Sequence, residues 1–104
     1  MVLQENCLMS STVRMLELKV TSKFRKDYKR VRKQGKDLQL LETVIDELLS
    51  GQPLAEKYRD HVLTGSYIGF RECHIAPDWL LIYQINREML ILTAVRTGSH
   101  SDLF

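Results

Sequence analysis

The feature that most constrains this chain is a double change in the spacing of its apolar residues. Leu16, Leu18 and Val20 alternate with Met15, Glu17 and Lys19, the period of a strand. The spacing then lengthens: Phe24, Tyr28 and Val31 recur at i, i+4 and i+7, which predicts a helix capped by Thr21 or Ser22 and stopped by Gly35. Asp37 can cap a second helix with a broad stripe of Leu38, Leu41, Val44, Ile45, Leu48 and Leu49, ended by Gly51 and Pro53. After a loop expected from Gln52 to Ser66, the short period returns in three runs, Tyr67 to Ile75, Trp79 to Ile85 and Met89 to Val95. Only Ala76-Pro77-Asp78 and Asn86-Arg87-Glu88 separate these runs, so they must pair as antiparallel hairpins. An N-terminal strand, a two-helix hairpin and a three-stranded antiparallel meander predict an α+β domain, one sheet with the helices packed on a single face. Met1 to Arg14 carry neither periodicity nor a cap signal, so 1–14 are expected to be a disordered leader and 15–104 a single domain.

Charge is unevenly spread. The net value is only +2, yet Arg14 to Lys36 hold ten basic residues against Glu17 and Asp27, while Asp37 to Asp60 hold six acidic and two basic ones. The first helix therefore presents a cationic surface that includes Lys23, Lys26, Arg30 and Lys33, and the simplest partner for it is a polyanion; the alternative is a solvated face. Glu42, Asp46 and Glu47 are expected on the outer face of the second helix. Two cysteines, Cys7 and Cys73, make no disulfide framework, which fits a reducing compartment. The longest apolar run, Trp79 to Tyr83, falls far short of the ~20 residues of a membrane span. A cytoplasmic protein without membrane contact is expected.

Residues able to do chemistry crowd the second half of the chain, which holds all 3 histidines, His61, His74 and His100. Alternation places Glu72 and His74 on one face of their strand and Arg71, Cys73 and Ile75 on the other. The meander returns the end of its last strand to the turn between its first two, so His74, Asp78, Trp79, Arg96 and His100 can converge at one edge. Such a set suits cleavage of RNA without a metal or other cofactor. Attack of a 2′-hydroxyl on the neighbouring phosphate needs a base, an acid and a cation; histidine serves as either of the first two and arginine as the third. Trp79 and Phe104 can stack on bases.

Each residue also has a plainer reading: a loop histidine, a core tryptophan, surface charges. A zinc site built on Cys73 and His74 is disfavoured, since adjacent strand residues point to opposite faces, and no metal ligands are assigned. Gly65 and Gly69 lack the lysine and helix of a phosphate-binding loop.

Three blocks together are specific: Tyr58-Arg59-Asp60-His61-Val62-Leu63-Thr64-Gly65-Ser66-Tyr67, then Phe70-Arg71-Glu72-Cys73-His74-Ile75-Ala76-Pro77-Asp78-Trp79-Leu80-Leu81-Ile82-Tyr83, and Arg96-Thr97-Gly98-Ser99-His100-Ser101-Asp102-Leu103-Phe104. They closely resemble the YafQ branch of the RelE/ParE toxin superfamily from Met15 to the C-terminus. The resemblance implies a RelE-like fold and a ribosome-dependent mRNA endoribonuclease, the toxin of a type II toxin–antitoxin pair. Its partners would be a DinJ-like antitoxin, the ribosome with its RNA, and mRNA. The family's loop histidine, strand histidine and C-terminal histidine fall at His61, His74 and His100. Its Pro-Asp-Trp turn falls at Pro77, Asp78 and Trp79, its arginine at Arg96 and its terminal aromatic at Phe104. Glu72 stands where this branch often has Asp, and is a secondary candidate. The other reading, open to ParE-like members of the superfold, is a noncatalytic gyrase-binding toxin or RNA-binding module.

Overall fold

The computed structural model describes residues 15–104. The leader expected over 1–14 lies outside the described residues. Strand β1 (Glu17–Val20) leads into helix α1 (Ser22–Lys33), and α2 (Leu38–Leu49) follows. Thr21 makes the first junction: its hydroxyl accepts from the Phe24 N–H at 3.0 Å, capping α1, and donates to the Val95 carbonyl at 2.7 Å. Gly35, at φ +77°, closes α1 with a bond to Arg32, and Lys36 reaches back to the Val31 carbonyl. Asp37 then caps α2 by accepting from the Gln39 N–H. Both helices thus start and stop where side-chain chemistry predicted.

Strands β2 (His61–Val62), β3 (Arg71–Ala76), β4 (Trp79–Asn86) and β5 (Ile91–Gly98) complete a five-stranded sheet of order β1-β5-β4-β3-β2. The meander is antiparallel as expected, while β1 pairs parallel to β5, from Glu17 opposite Ile91 to Val20 opposite Ala94. Since β1 stops at Val20, the last residues of β5 have no strand on that side, and α1 takes the place.

Both long helices cover one face of the sheet. Phe24, Val31, Leu41, Ile45 and Leu49 close a core with Cys73, Leu81, Tyr83 and Leu92. On the opposite face Leu80, Ile82 and Leu103 form a second small cluster with Tyr67, Phe70 and Val95. Leu103 belongs to α3 (His100–Leu103), a C-terminal turn absent from the sequence reading, held by a capping box between Ser99 and Asp102.

Four expectations are corrected. The strand expected from Tyr67 begins at Arg71, because Gly65–Tyr67 form a 3-10 turn. The strand expected from Met89 begins at Ile91, after Leu90 takes a left-handed φ of 56°, and it runs on to Gly98. Part of the expected loop is ordered as a 3-10 turn, Glu56–Tyr58, and as β2. Glu42 is not on an outer face either: it is buried beside Tyr28, where desolvation first and the Glu42 charge second push the phenol upward.

Candidate active site

Two local devices place the first histidine. Arg59 adopts a left-handed φ of 50°, and Asp60 next to it accepts from Arg71 at 3.0 to 3.3 Å and from the Tyr83 hydroxyl. So anchored, β2 sets His61 opposite Glu72 in register. The His61 Nδ1 lies 2.7 Å from the Arg59 carbonyl, which only accepts, so Nδ1 carries the proton and Nε2 is turned inward. That Nε2 is 3.4 Å from the Glu72 carboxylate, and the His74 Nε2 is 3.8 Å from the same oxygen. Glu72 is only 4% exposed, so its carboxyl lies buried between two imidazoles.

His100 comes from α3. Its backbone N–H and its Nδ1 both meet Asp78 Oδ1, at 3.0 and 2.8 Å. The backbone bond first, and the ring bond next, hold the Asp78 carboxyl below its ordinary range. An ionised Asp78 only accepts, so His100 donates from Nδ1 and leaves Nε2 free for a substrate. The rings form a row, His61 to His74 at 6.3 Å between centroids and His74 to His100 at 5.8 Å. Thus the three histidines and two carboxylates singled out in the sequence do converge.

Arg96 reaches the same end of the sheet through an irregularity. Between Ile82 and Tyr83 the register slips, so Val95 is extra and Arg96 falls opposite Ile82, on the histidine side, instead of one residue out of phase. Its guanidinium is gripped past the end of β1 by Asp27 of α1, Nε at 2.6 Å and Nη2 at 3.1 Å. This pairing raises its pKa first of all, with Tyr67 a lesser donor-acceptor partner.

Two residues do not sit as expected. Trp79 is 3% exposed, lies in the helix-side core and donates its indole N–H to Thr97 Oγ1 at 2.9 Å, so it offers no face to a base. Arg30, expected among the RNA-binding cations, is turned toward its own chain: it donates to Asp27 and to the Thr97 carbonyl, both at 3.0 Å. Lys23, Lys26 and Lys33 are exposed on α1, and Phe104 is 63% exposed while resting edge-on against Tyr67 at 5.6 Å. Asp27, Tyr67 and Ser99 were missed. Asp27 carried a signal, an acidic residue on the apolar stripe of a basic helix, and Ser99 a weaker one, a cap residue three before Asp102.

No metal ligands were assigned from the sequence, but Glu72, His74 and His100 each offer one ligand atom, all within 4.8 Å of one another. Nitrogen and carboxylate donors of this kind suit zinc or copper, with bonds of about 2.0–2.2 Å after slight closing of the cluster. Cys73 is buried on the other face and desolvation pushes its thiol upward, so it takes no part. Among the described residues no helix is long and apolar enough to cross a membrane.

The family model of the bacterial toxin of type II toxin–antitoxin system, YafQ, matches residues 16–104. The mRNA interferase toxin YafQ of Escherichia coli strain K12 is 36% identical over 89 residues, 85% of this chain and 95% of that protein. Among solved structures, the metal-bound toxin from Helicobacter pylori is 51% identical with a TM-score of 0.81, over 86% of this chain and 100% of that one. The toxin in the Escherichia coli DinJ-YafQ complex has 35% identity and a TM-score of 0.79, over 86% of this chain and 98% of that one.

Proposed function

Because this chain belongs to the YafQ family of type II toxin–antitoxin toxins, we propose that it is a ribosome-dependent mRNA endoribonuclease of the cytoplasm, silenced by a DinJ-like antitoxin. The observation that carries the reading is the histidine row, tied at one end to Asp78 and bridged at the other by Glu72, with a guanidinium at the same end of the sheet.

The parts suit one reaction. His100, its Nδ1 proton committed to Asp78, takes the 2′-hydroxyl proton at Nε2. The 2′-oxygen bonds to phosphorus as the bond to the 5′-oxygen breaks. A proton held beside Glu72, on His74 or His61, passes to that leaving oxygen. The products are a 2′,3′-cyclic phosphate and a 5′-hydroxyl, and Arg96 offsets the charge that builds on the phosphorane. The ribosome supplies a held mRNA strand, and the cations of α1 supply attraction to ribosomal RNA. A metal bound by Glu72, His74 and His100 would occupy the proton carriers, so added copper or zinc is expected to inhibit; a Helicobacter pylori relative is itself metal-bound.

The test is cleavage of mRNA on programmed ribosomes with mapped ends. A 5′-thio leaving group needs no proton, so it should restore cleavage to His74→Ala or His61→Ala but not to His100→Ala. Intact mRNA with the wild-type protein, together with inhibition of gyrase, would establish the noncatalytic alternative instead.

A further inference from the structure

A carboxylate buried inside a strongly basic helix needs a reason. Asp27 is the lone acidic residue of α1 and is only 2% exposed. Burying a charge is costly unless hydrogen bonds satisfy it, and here four donors do. Oδ2 accepts from Arg96 Nε at 2.6 Å and from the Thr97 N–H at 3.2 Å. Oδ1 accepts from Arg96 Nη2 at 3.1 Å and from Arg30 Nη1 at 3.0 Å.

We propose that Asp27 is a positioning residue of the cleavage site, fixing the Arg96 guanidinium for the reacting phosphate and tying the basic helix to the strand end that carries it. The inference rests on the ribonuclease reading for the role of Arg96, though not for the grip itself. Arg96 pairs with Ile82 of β4 on one side, but on the other it stands beyond the last residue of β1, where no strand flanks it. Free there, an arginine has up to about 2 kcal/mol of rotamer entropy to lose on meeting a phosphate. Asp27 takes one edge of the planar fork, Nε and Nη2, and a phosphate would be met by the remaining hydrogens, beside Tyr67. The same helix reaches one residue further: Arg30 donates to the Thr97 carbonyl and lies 3.7 Å from Asp102 of the α3 capping box. A Cβ at Gly98 would come within 2.5 Å of Arg30 Nη2, so glycine there lets the clamp close.

The experiment has two arms. In the first, protein labelled at arginine nitrogens is examined by NMR, and the Arg96 Nε–H should be rigid in the wild type and lose its order in Asp27→Asn. In the second, Arg96→Ala is assayed on programmed ribosomes with added guanidinium. Rescue should saturate at a concentration at least tenfold lower when Asp27 is intact than when Asp27→Asn is combined with Arg96→Ala. Asp27→Asn alone should lower kcat roughly 10- to 100-fold with KM for ribosomes unchanged. Should Asp27→Asn not fold, Asp27→Glu keeps the charge but shifts the grip by one methylene, and the same readings apply. An Arg96 that stays equally ordered in a folded variant, or rescue with the same half-saturation, overturns the proposal. Wild-type protein that leaves mRNA intact overturns the ribonuclease reading instead, and the NMR arm then decides the grip alone.

Discussion

Trp79 and Phe104 have the same chemistry to offer a base and opposite surroundings. The indole is buried in the helix-side core with its N–H bonded to Thr97, whereas the phenyl ring of Phe104 lies largely open beside Tyr67. Trp79→Ala should therefore act on stability, costing about 3–5 kcal/mol as a large core truncation, while Phe104→Ala should weaken cleavage with an unchanged melting temperature. Thermal melts beside ribosome assays separate the two. For the proton carriers the expectation is kinetic: His100→Ala should slow cleavage about 10²–10⁴-fold while the fold is kept. Cleavage at the wild-type rate by folded His100→Ala would remove His100 from the reaction. Arg96→Lys should recover only part of what Arg96→Ala loses, because an ammonium cannot span both oxygens of Asp27 and still present a second edge. That His74 and His100 meet was legible from alternation and the meander, while His61 joined them only through the family resemblance; that Asp27 stands behind Arg96 was not legible, since residues 27 and 96 are joined only by tertiary contacts.

At the scale of elements, α3 matters most, because a helix of four residues carries His100. It is held by Leu103 in the small apolar cluster, by the Ser99–Asp102 box and by Asp78. Hydrogen bonds from His100 and from Ser99, backbone first in each case, lower the pKa values of Asp78 and Asp102. A carboxyl whose folded value lies below its unfolded value, about 3.9, stabilises above that pH and ceases to do so as pH falls through the folded value. The α3 amides should thus lose protection as pH falls below the ordinary carboxylate range. Hydrogen exchange along a pH series reads this directly, and Asp78→Asn should flatten part of the acid limb. Ser99→Ala should loosen the same turn at neutral pH by about 1 kcal/mol. The capping pattern was present in Ser99-His100-Ser101-Asp102, but four residues give too short a window for periodicity to announce a helix.

For the whole molecule, the two faces of the sheet divide the labour. The helices bury one face and lend the molecule its cationic surface; the other face, thinly covered by α3, holds the histidine row. Reversing charge at Lys23, Lys26 and Lys33 should weaken ribosome binding and flatten its salt dependence, by a slope of about 0.7–0.9 per lost phosphate contact, with stability unchanged. Arg30→Glu should instead destabilise the fold, because it breaks the clamp on Asp27 and Thr97. Filter binding across a salt series, set beside melting curves, distinguishes a cation that faces RNA from one that faces its own chain. Equal effects from Arg30→Glu and Lys26→Glu on both measurements would refute that division.

By itself the sequence determined whatever is written in local spacing: the α+β class, both long helices with their caps, the three hairpin-linked strands, and the face on which Glu72 and His74 lie. Periodicity and capping involve neighbours within a few positions, so they are readable one segment at a time. Tertiary structure decided the parallel seating of β1 on β5, the strand β2 that turns His61 toward Glu72, and the slip at Val95 that brings Arg96 to the histidine side. It also decided which charges are solvated: Lys26 and Arg30 share one helix, but only Arg30 lies over the carboxylate that β5 needs. Those outcomes depend on contacts between different segments, from His61 with Glu72 to Asp27 with Arg96. Burial sets the strength of such contacts, and burial exists only once the chain has closed on itself.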